Sequence, residues 1–179
     1  FCADMDANCP TTYTDNAACL SACATFPDNA AAAISGNSRQ CRAYHGGAPA
    51  KGDPALHCPH AAELSGSNMC GNACDAYCNR MLATCGSVYA DRATCNRACA
   101  AFPAGTAADT AGNTLGCRYY HVGVGGGSAS LAATHCPHAA AVSGSDICGS
   151  QCDAYCNTIM ASCVGNNAQF ATNALCLTA

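Results

Sequence analysis

Laying Cys2 over Cys78 and Cys156 brings the other cysteines of this chain into register. Cys9 then matches Cys85 and Cys163, and Cys19 matches Cys95 and Cys176. Cys23 falls on Cys99, Cys41 on Cys117, Cys58 on Cys136, Cys70 on Cys148 and Cys74 on Cys152. The offset is 76 residues the first time and 78 the second. The two extra residues lie in VGVGGGSAS, expected to be a Gly-rich loop, where an insertion costs little. ATFP and AAFP, SGN and AGN, LSGSNMCG and VSGSDICG, and CDAYCN twice recur in the same frame. Agreement at so many independent positions marks an internal repeat. It divides the chain into repeat 1 at 1–77, repeat 2 at 78–155 and a fragment of repeat 3 at 156–179. The fragment reads CLTA where the full repeats have CLSAC and CNRAC. Its helical hairpin is therefore expected to be completed by chain continuation or by a neighbouring subunit. Cys156 is the cysteine expected to stay unpaired or to bridge subunits.

Nineteen cysteines in 179 residues are the composition of a disulfide scaffold. They stand in for large apolar side chains, which are scarce: the chain has no Trp, four Phe and seven Tyr. The cytosol would keep such thiols reduced, so an extracellular or cell-surface location is expected. The opening Phe1, with no leader in view, reads as a mature or trimmed chain. A cytosolic metal-thiolate protein would want many lysines and Cys-x-Cys pairs, whereas Lys51 is the single lysine and no Cys-x-Cys occurs. Charged residues are 10% of the chain and the net charge is −4. No basic run is present to hold a phosphate backbone, so nucleic acid is not an expected partner. No apolar stretch approaches the roughly 20 residues of a membrane span.

The fold expected is mainly α, built from disulfide-stapled helical hairpins with little or no sheet. Cys70, Cys74, Cys78 and Cys85 fall along one face of a helix of about four turns, with Met81 or Leu82 on the same stripe. Cys148, Cys152, Cys156, Ile159 and Cys163 repeat it. RATCNRACAAF reads as the antiparallel second arm, stopped by Phe102-Pro103 as Phe26-Pro27 stops its counterpart. Nested bridges follow: Cys2–Cys23 with Cys9–Cys19, Cys78–Cys99 with Cys85–Cys95, and Cys163–Cys176. Each loop of about ten residues so closed adds roughly 3 kcal/mol on the chain-entropy model. Cys41, Cys58, Cys70 and Cys74 remain, with three possible connectivities, among which Cys41–Cys74 with Cys58–Cys70 is favoured. GNSRQCRAYH reads as a short helix capped by Asn37 or Ser38. In HCPHAAELSG, Pro59 suits the first turn of another helix and Gly66 its end.

All six histidines lie in two recurring words, CRAYH with HCPHA and CRYYH with HCPHA. His45, His57 and His60 form one trio, and His121, His135 and His138 the other. Cys41 and His45 are four apart, and His57 and His60 three apart, so each pair shares a helical face. Three imidazoles with an open fourth position suit zinc or copper. Imidazoles also ligate haem iron, although the covalent word Cys-x-x-Cys-His is absent. The plainer reading is that histidines in small disulfide domains cap helices or donate to carbonyls. The absence of histidine elsewhere favours the metal. Arg42 and Arg118 are expected to pair with a carboxylate or with carbonyls. Asp75 and Asp153 are expected to pair with those arginines or to cap a turn, and Tyr44 and Tyr120 to pack with their hydroxyls on backbone groups. No Ser-His-Asp order, recurring carboxylate pair or free thiolate points to catalysis. Gly123–Gly127 has no Gly-rich counterpart in repeat 1, so a phosphate cradle is not expected and neither is an enzyme.

The words CR-x-YH, HCPHA, CG-x-x-CDAYC and GNTLGC resemble uncharacterised cysteine-rich tandem repeats of exported proteins and lipoproteins of myxobacteria-like bacteria. SGNSRQC in repeat 1 departs mildly from AGNTLGC in repeat 2. The resemblance spans the whole chain and implies export and repetition, with no activity attached. Three functions are in view. The first is an extracellular structural protein that self-associates end to end into a fibre or surface layer, with a three-His metal site per repeat. The second is a metal- or haem-carrying redox or electron-transfer protein. The third is a secreted binding module or inhibitor gripping a partner through the variable loop at Gly46–Leu56 and Val122–Thr134.

Overall fold

Short helices joined by polar turns make up the structure, a computed structural model that describes residues 1–64, 67–142 and 146–179. Helix accounts for 58% of the described residues, and no strand occurs among them. Two units are distinguished, Phe1–Asn79 and Arg80–Ala179. The first contains α1 (Cys2–Asn8), α2 (Asn16–Thr25), α3 (Arg39–Gly46), α4 (Ala48–Gly52) and α5 (Pro54–Ala61). The unit boundary falls within α6 (Ala73–Thr84). The second holds α7 (Arg92–Ala100), α8 (Leu115–Gly125), α9 (Ala129–Ala139), α10 (Gln151–Ser162) and α11 (Asn173–Leu177). Residues 156–179 belong to the second unit, where α10 packs against α11.

Helix starts follow the local chemistry. Asp15, Ser38, Asp53, Asp91, Thr114, Ser128, Ser150 and Thr172 each accept a backbone amide of the first turn. Such caps are worth roughly 1 kcal/mol apiece in helices too short to be stable alone. Asp75 accepts the Asn72 amide at 3.0 Å, and Asp153 accepts the Ser150 amide at 2.8 Å, so both carboxylates serve as caps.

Several boundaries differ from expectation. Cys70 and Cys148 stand ahead of α6 and α10, because Gly71 and Gly149 take φ of +107° and +108° and break the helical path. A Cβ at Gly71 would also lie 3.2 Å from the Arg42 guanidinium. HCPHA does not open a helix but closes one: α5 starts at Pro54 and α9 at Ala129, so Pro59 and Pro137 are inside. Gly66 lies outside the described residues. The stretch VGVGGG is largely helical, within α8. Its small residues let α8 and α9 approach closely, a Cβ at Gly125 meeting the Ala132 Cα at 3.6 Å. Gly46–Leu56 and Val122–Thr134 are thus mostly helix rather than free loops.

The bridges also correct the hairpin scheme. Cys2 pairs with Cys19, not Cys23, and Cys9 pairs with Cys58, not Cys19. Cys85 pairs with Cys136, not Cys95. Cys156, expected to be left over, pairs with Cys176, and Cys163 does not. Cys41 pairs with Cys70 and Cys117 with Cys148, which excludes Cys41–Cys74 and Cys58–Cys70. The physical reason is the length of α1. It ends at Asn8, and Cys9 sits past the last turn at φ −134°, ψ 53°, facing α5 rather than α2. Cys74, Cys78, Cys95 and Cys99 are disulfide-bonded as well. Cys23, Cys152 and Cys163 are free thiols.

Sulfur fills much of the interior. In the first unit Cys2, Cys9 and Cys19 cluster with Met5, Ala50 and Ala61. Met5 is buried against Gly46, where a Cβ would approach its Sδ to 2.7 Å. The Asn8 amide donates to the Gly46 carbonyl at 2.9 Å and the Gly47 carbonyl at 3.2 Å. Together with Cys9–Cys58 these contacts fasten α1 to α3 and α5. Replacing Cys9 and Cys58 together with alanine is expected to cost roughly 2–5 kcal/mol, read from chemical denaturation.

Candidate metal centre

The arginine after each CR-x-YH cysteine sets the orientation of α3 and α8. Arg42 is fully buried, its guanidinium 4.2 Å above the Phe26 ring. It donates to Asn37 Oδ1 at 3.1 Å and to the Ser38 carbonyl at 3.2 Å. Arg118 lies 4.0 Å above Phe102 and donates to the carbonyls of Thr114 at 3.1 Å and Ala140 at 3.4 Å. Beneath each arginine is an amide pair that the sequence reading missed. Asn37 and Asn79 exchange two hydrogen bonds of 3.1 Å, and Asn113 and Asn157 exchange bonds of 3.2 and 2.9 Å. Their signal was the recurrence of Asn in SGN, AGN and CDAYCN.

With α3 so held, His45 projects one turn beyond Cys41 and meets the end of α5. Cys41–Cys70 anchors the start of α3, and Cys9–Cys58 anchors α5 between His57 and His60. All six predicted histidines are brought together as two trios. His45 Nδ1 is 2.9 Å from His57 Nδ1 and 3.4 Å from His60 Nδ1. In the second unit His121 Nδ1 is 2.8 Å from His135 Nδ1 and 3.3 Å from His138 Nδ1. The rings of His45 and His57 stack at 23°, and His60 stands edge-on at 89° to both. Tyr44 and Tyr120 are about half exposed and set their rings edge-on against His45 and His121.

The tautomer follows from the far side of the central ring. His45 Nε2 is 3.1 Å from the Ile34 carbonyl, and His121 Nε2 is 3.1 Å from the Thr110 carbonyl. A carbonyl only accepts, so each Nε2 carries its proton. In the neutral ring Nδ1 is then a bare lone pair. Two further Nδ1 atoms crowd that single lone pair, and one proton between the rings satisfies only one of them. A cation satisfies all three. Zinc–imidazole bonds of about 2.0–2.1 Å in a tetrahedral site put nitrogens roughly 3.3 Å apart. The spacings to the central Nδ1, 2.9 and 3.4 Å in one trio and 2.8 and 3.3 Å in the other, lie within about half an ångström of that. The carbonyl behind the central imidazole is the kind of outer partner that fixes a ligating histidine.

The donor set is three neutral nitrogens without a carboxylate, which suits zinc or copper rather than calcium or magnesium. Haem does not fit the trio, since no porphyrin plane passes between nitrogens this close. The sulfurs of Cys41 and Cys70 lie within 4.8 Å of a His45 nitrogen, as do those of Cys117 and Cys148 of His121. They are bonded to each other and offer no thiolate. Burial, and then the neighbouring His45 and His57, hold the pKa of His60 below the ordinary histidine value. Burial and then His121 and His135 do the same for His138. Burial lowers that of His121 too, against the opposing pull of the Thr110 carbonyl.

No protein-family model, characterised protein or solved structure matches this chain. Nitrogen-15 NMR of the metal-free protein is expected to report the Nε2–H tautomer for His45 and His121 at neutral pH. Nδ1–H signals at both would contradict the arrangement.

Proposed function

We propose that this is an extracellular, disulfide-stapled structural repeat protein in which each repeat holds one zinc or copper ion on three histidines. The observation that carries this reading is the meeting of three Nδ1 atoms around one lone pair whose tautomer a backbone carbonyl fixes. The same meeting occurs in the second unit. His45 and His121 present the lone pair, while His57 with His60 and His135 with His138 close around it. A bound ion adds a cross-link between α3 and α5, and between α8 and α9, that no carbon–carbon contact supplies. The oxidised cysteines support placement outside a reducing cytosol, and no described helix is long and apolar enough to cross a membrane.

A redox-carrier reading draws on the donors themselves. Neutral imidazoles accept copper in both oxidation states, and His57 and His60 are only partly buried, which leaves the metal reachable. Gain and loss of a copper electron paramagnetic resonance signal on reversible reduction separates a carrier from a structural zinc site.

Elemental analysis of protein from its native source is expected to find two metal ions per 179-residue chain. His45→Ala and His121→Ala are each expected to remove one ion and leave the helical circular dichroism intact. Less than a tenth of an ion per repeat would refute the reading. Binding should also depend on pH in a fixed direction. Because His60, His121 and His138 have lowered pKa values, they are neutral at pH 7 and bind without displacing protons. Metal is therefore retained at neutral pH and released as pH falls below the ordinary histidine range, measured with a chromogenic chelator.

A further inference from the structure

The C-terminal half of α10 lacks what its counterpart in the first unit has. Ile159 and Cys163 occupy the register positions of Met5 and Cys9. Met5 is 1% exposed, seated between Gly46 of α3 and Ala61 of α5, and Cys9 is bonded to Cys58 of α5. In the second unit Met81 is fully buried, and Cys85 is bonded to Cys136 of α9. Ile159 is only partly buried, Cys163 is a free thiol, and the following Val164 is 63% exposed. Tyr155 is 56% exposed where its counterpart Tyr77 is fully buried. Cys152, also a free thiol, borders an open groove lined by Tyr155, Phe170 and Leu177, while its counterpart Cys74 is disulfide-bonded. Two independent kinds of deficit, in apolar burial and in sulfur pairing, therefore coincide on one helix.

We infer that this face of α10 docks the histidine-bearing helix pair of a further repeat of this same kind, and that Cys163 forms a disulfide with the cysteine of that repeat's His-Cys-Pro-His segment. Both filled copies of the position identify the occupant. Cys9 and Cys85 each bond to the cysteine of a His-Cys-Pro-His segment. The stripe of α1 that ends in Cys9 packs on the helix that ends in CRAYHG. A helix pair docked on α10 brings a third histidine trio into the array. In the bonding step the two thiols each give up a proton, a sulfur–sulfur bond forms, and two electrons pass to the disulfide of a thiol oxidant, which becomes a dithiol. The inference rests on the sulfur frame and apolar burial, so it stands or falls separately from the metal reading.

Proteolysis of the native-source protein without reduction, followed by mass spectrometry, tests it. The expected result is a Cys163 peptide linked to a peptide that contains His-Cys-Pro-His. Recovery of Cys163 as an alkylatable thiol, or linked to Cys152 or Cys23, overturns the inference. Hydrogen exchange on the 179-residue chain alone supplies a second reading. Amides of Ile159–Ser162 are expected to exchange at least about tenfold faster than those of Met81–Thr84. Equal protection of the two segments would mean that α10 needs no partner.

Discussion

The cystine that joins the end of one helix to the middle of another is the contact on which the rest of this molecule depends. Cys9–Cys58 and Cys85–Cys136 close sequence separations of 49 and 51 residues. Each ties a helix of the CDAYC type to the helix that carries His-Cys-Pro-His. Cys41–Cys70 and Cys117–Cys148 then fix the helix with the remaining histidine. Few large apolar side chains are available to do this work, and Met5 is the bulkiest buried side chain of the first-unit cluster. Loop closure through sulfur limits the unfolded chain instead of rewarding burial in the folded one.

That frame has a chemical consequence at the histidines. The cysteine of His-Cys-Pro-His is spent on the bridge, and its two histidine neighbours are left pointing toward the ring of α3 or α8. The carbonyl of Ile34 or Thr110 removes the choice of tautomer from that ring. Burial and then the neighbouring imidazoles lower the pKa of His60 and of His138. On the proposed reading sulfur serves the architecture and nitrogen the metal, which is the reverse of a metal-thiolate protein.

The register of cysteines and histidines carried the helical class and the membership of both trios. It did not carry the bridges, because cysteine spacing predicts an antiparallel hairpin only where the helices are unbroken. Gly71 and Gly149, in the left-handed region, shorten α6 and α10 from their N-terminal ends, and Cys9 and Cys163 lie past the last turns of theirs. A cysteine one residue beyond a helix answers to tertiary neighbours rather than to helical period. Chain position alone makes Cys156 the orphan, whereas α11 reaches it and leaves Cys152 and Cys163 open. The recurrence of Asn37, Asn79, Asn113 and Asn157 is visible in the sequence, but their pairing is not, since the turn asparagines Asn37 and Asn113 have many local uses. The composition of VGVGGG favours a loop, and close packing of α8 on α9 overrides that propensity.

X-ray absorption at the metal edge of the native protein tests the division of labour between sulfur and nitrogen most directly. The account predicts a first shell of about three imidazole nitrogens near 2.0–2.1 Å with no sulfur. Sulfur scatterers at about 2.3 Å would show that cysteines held here as bridges are thiolate ligands, and would contradict it.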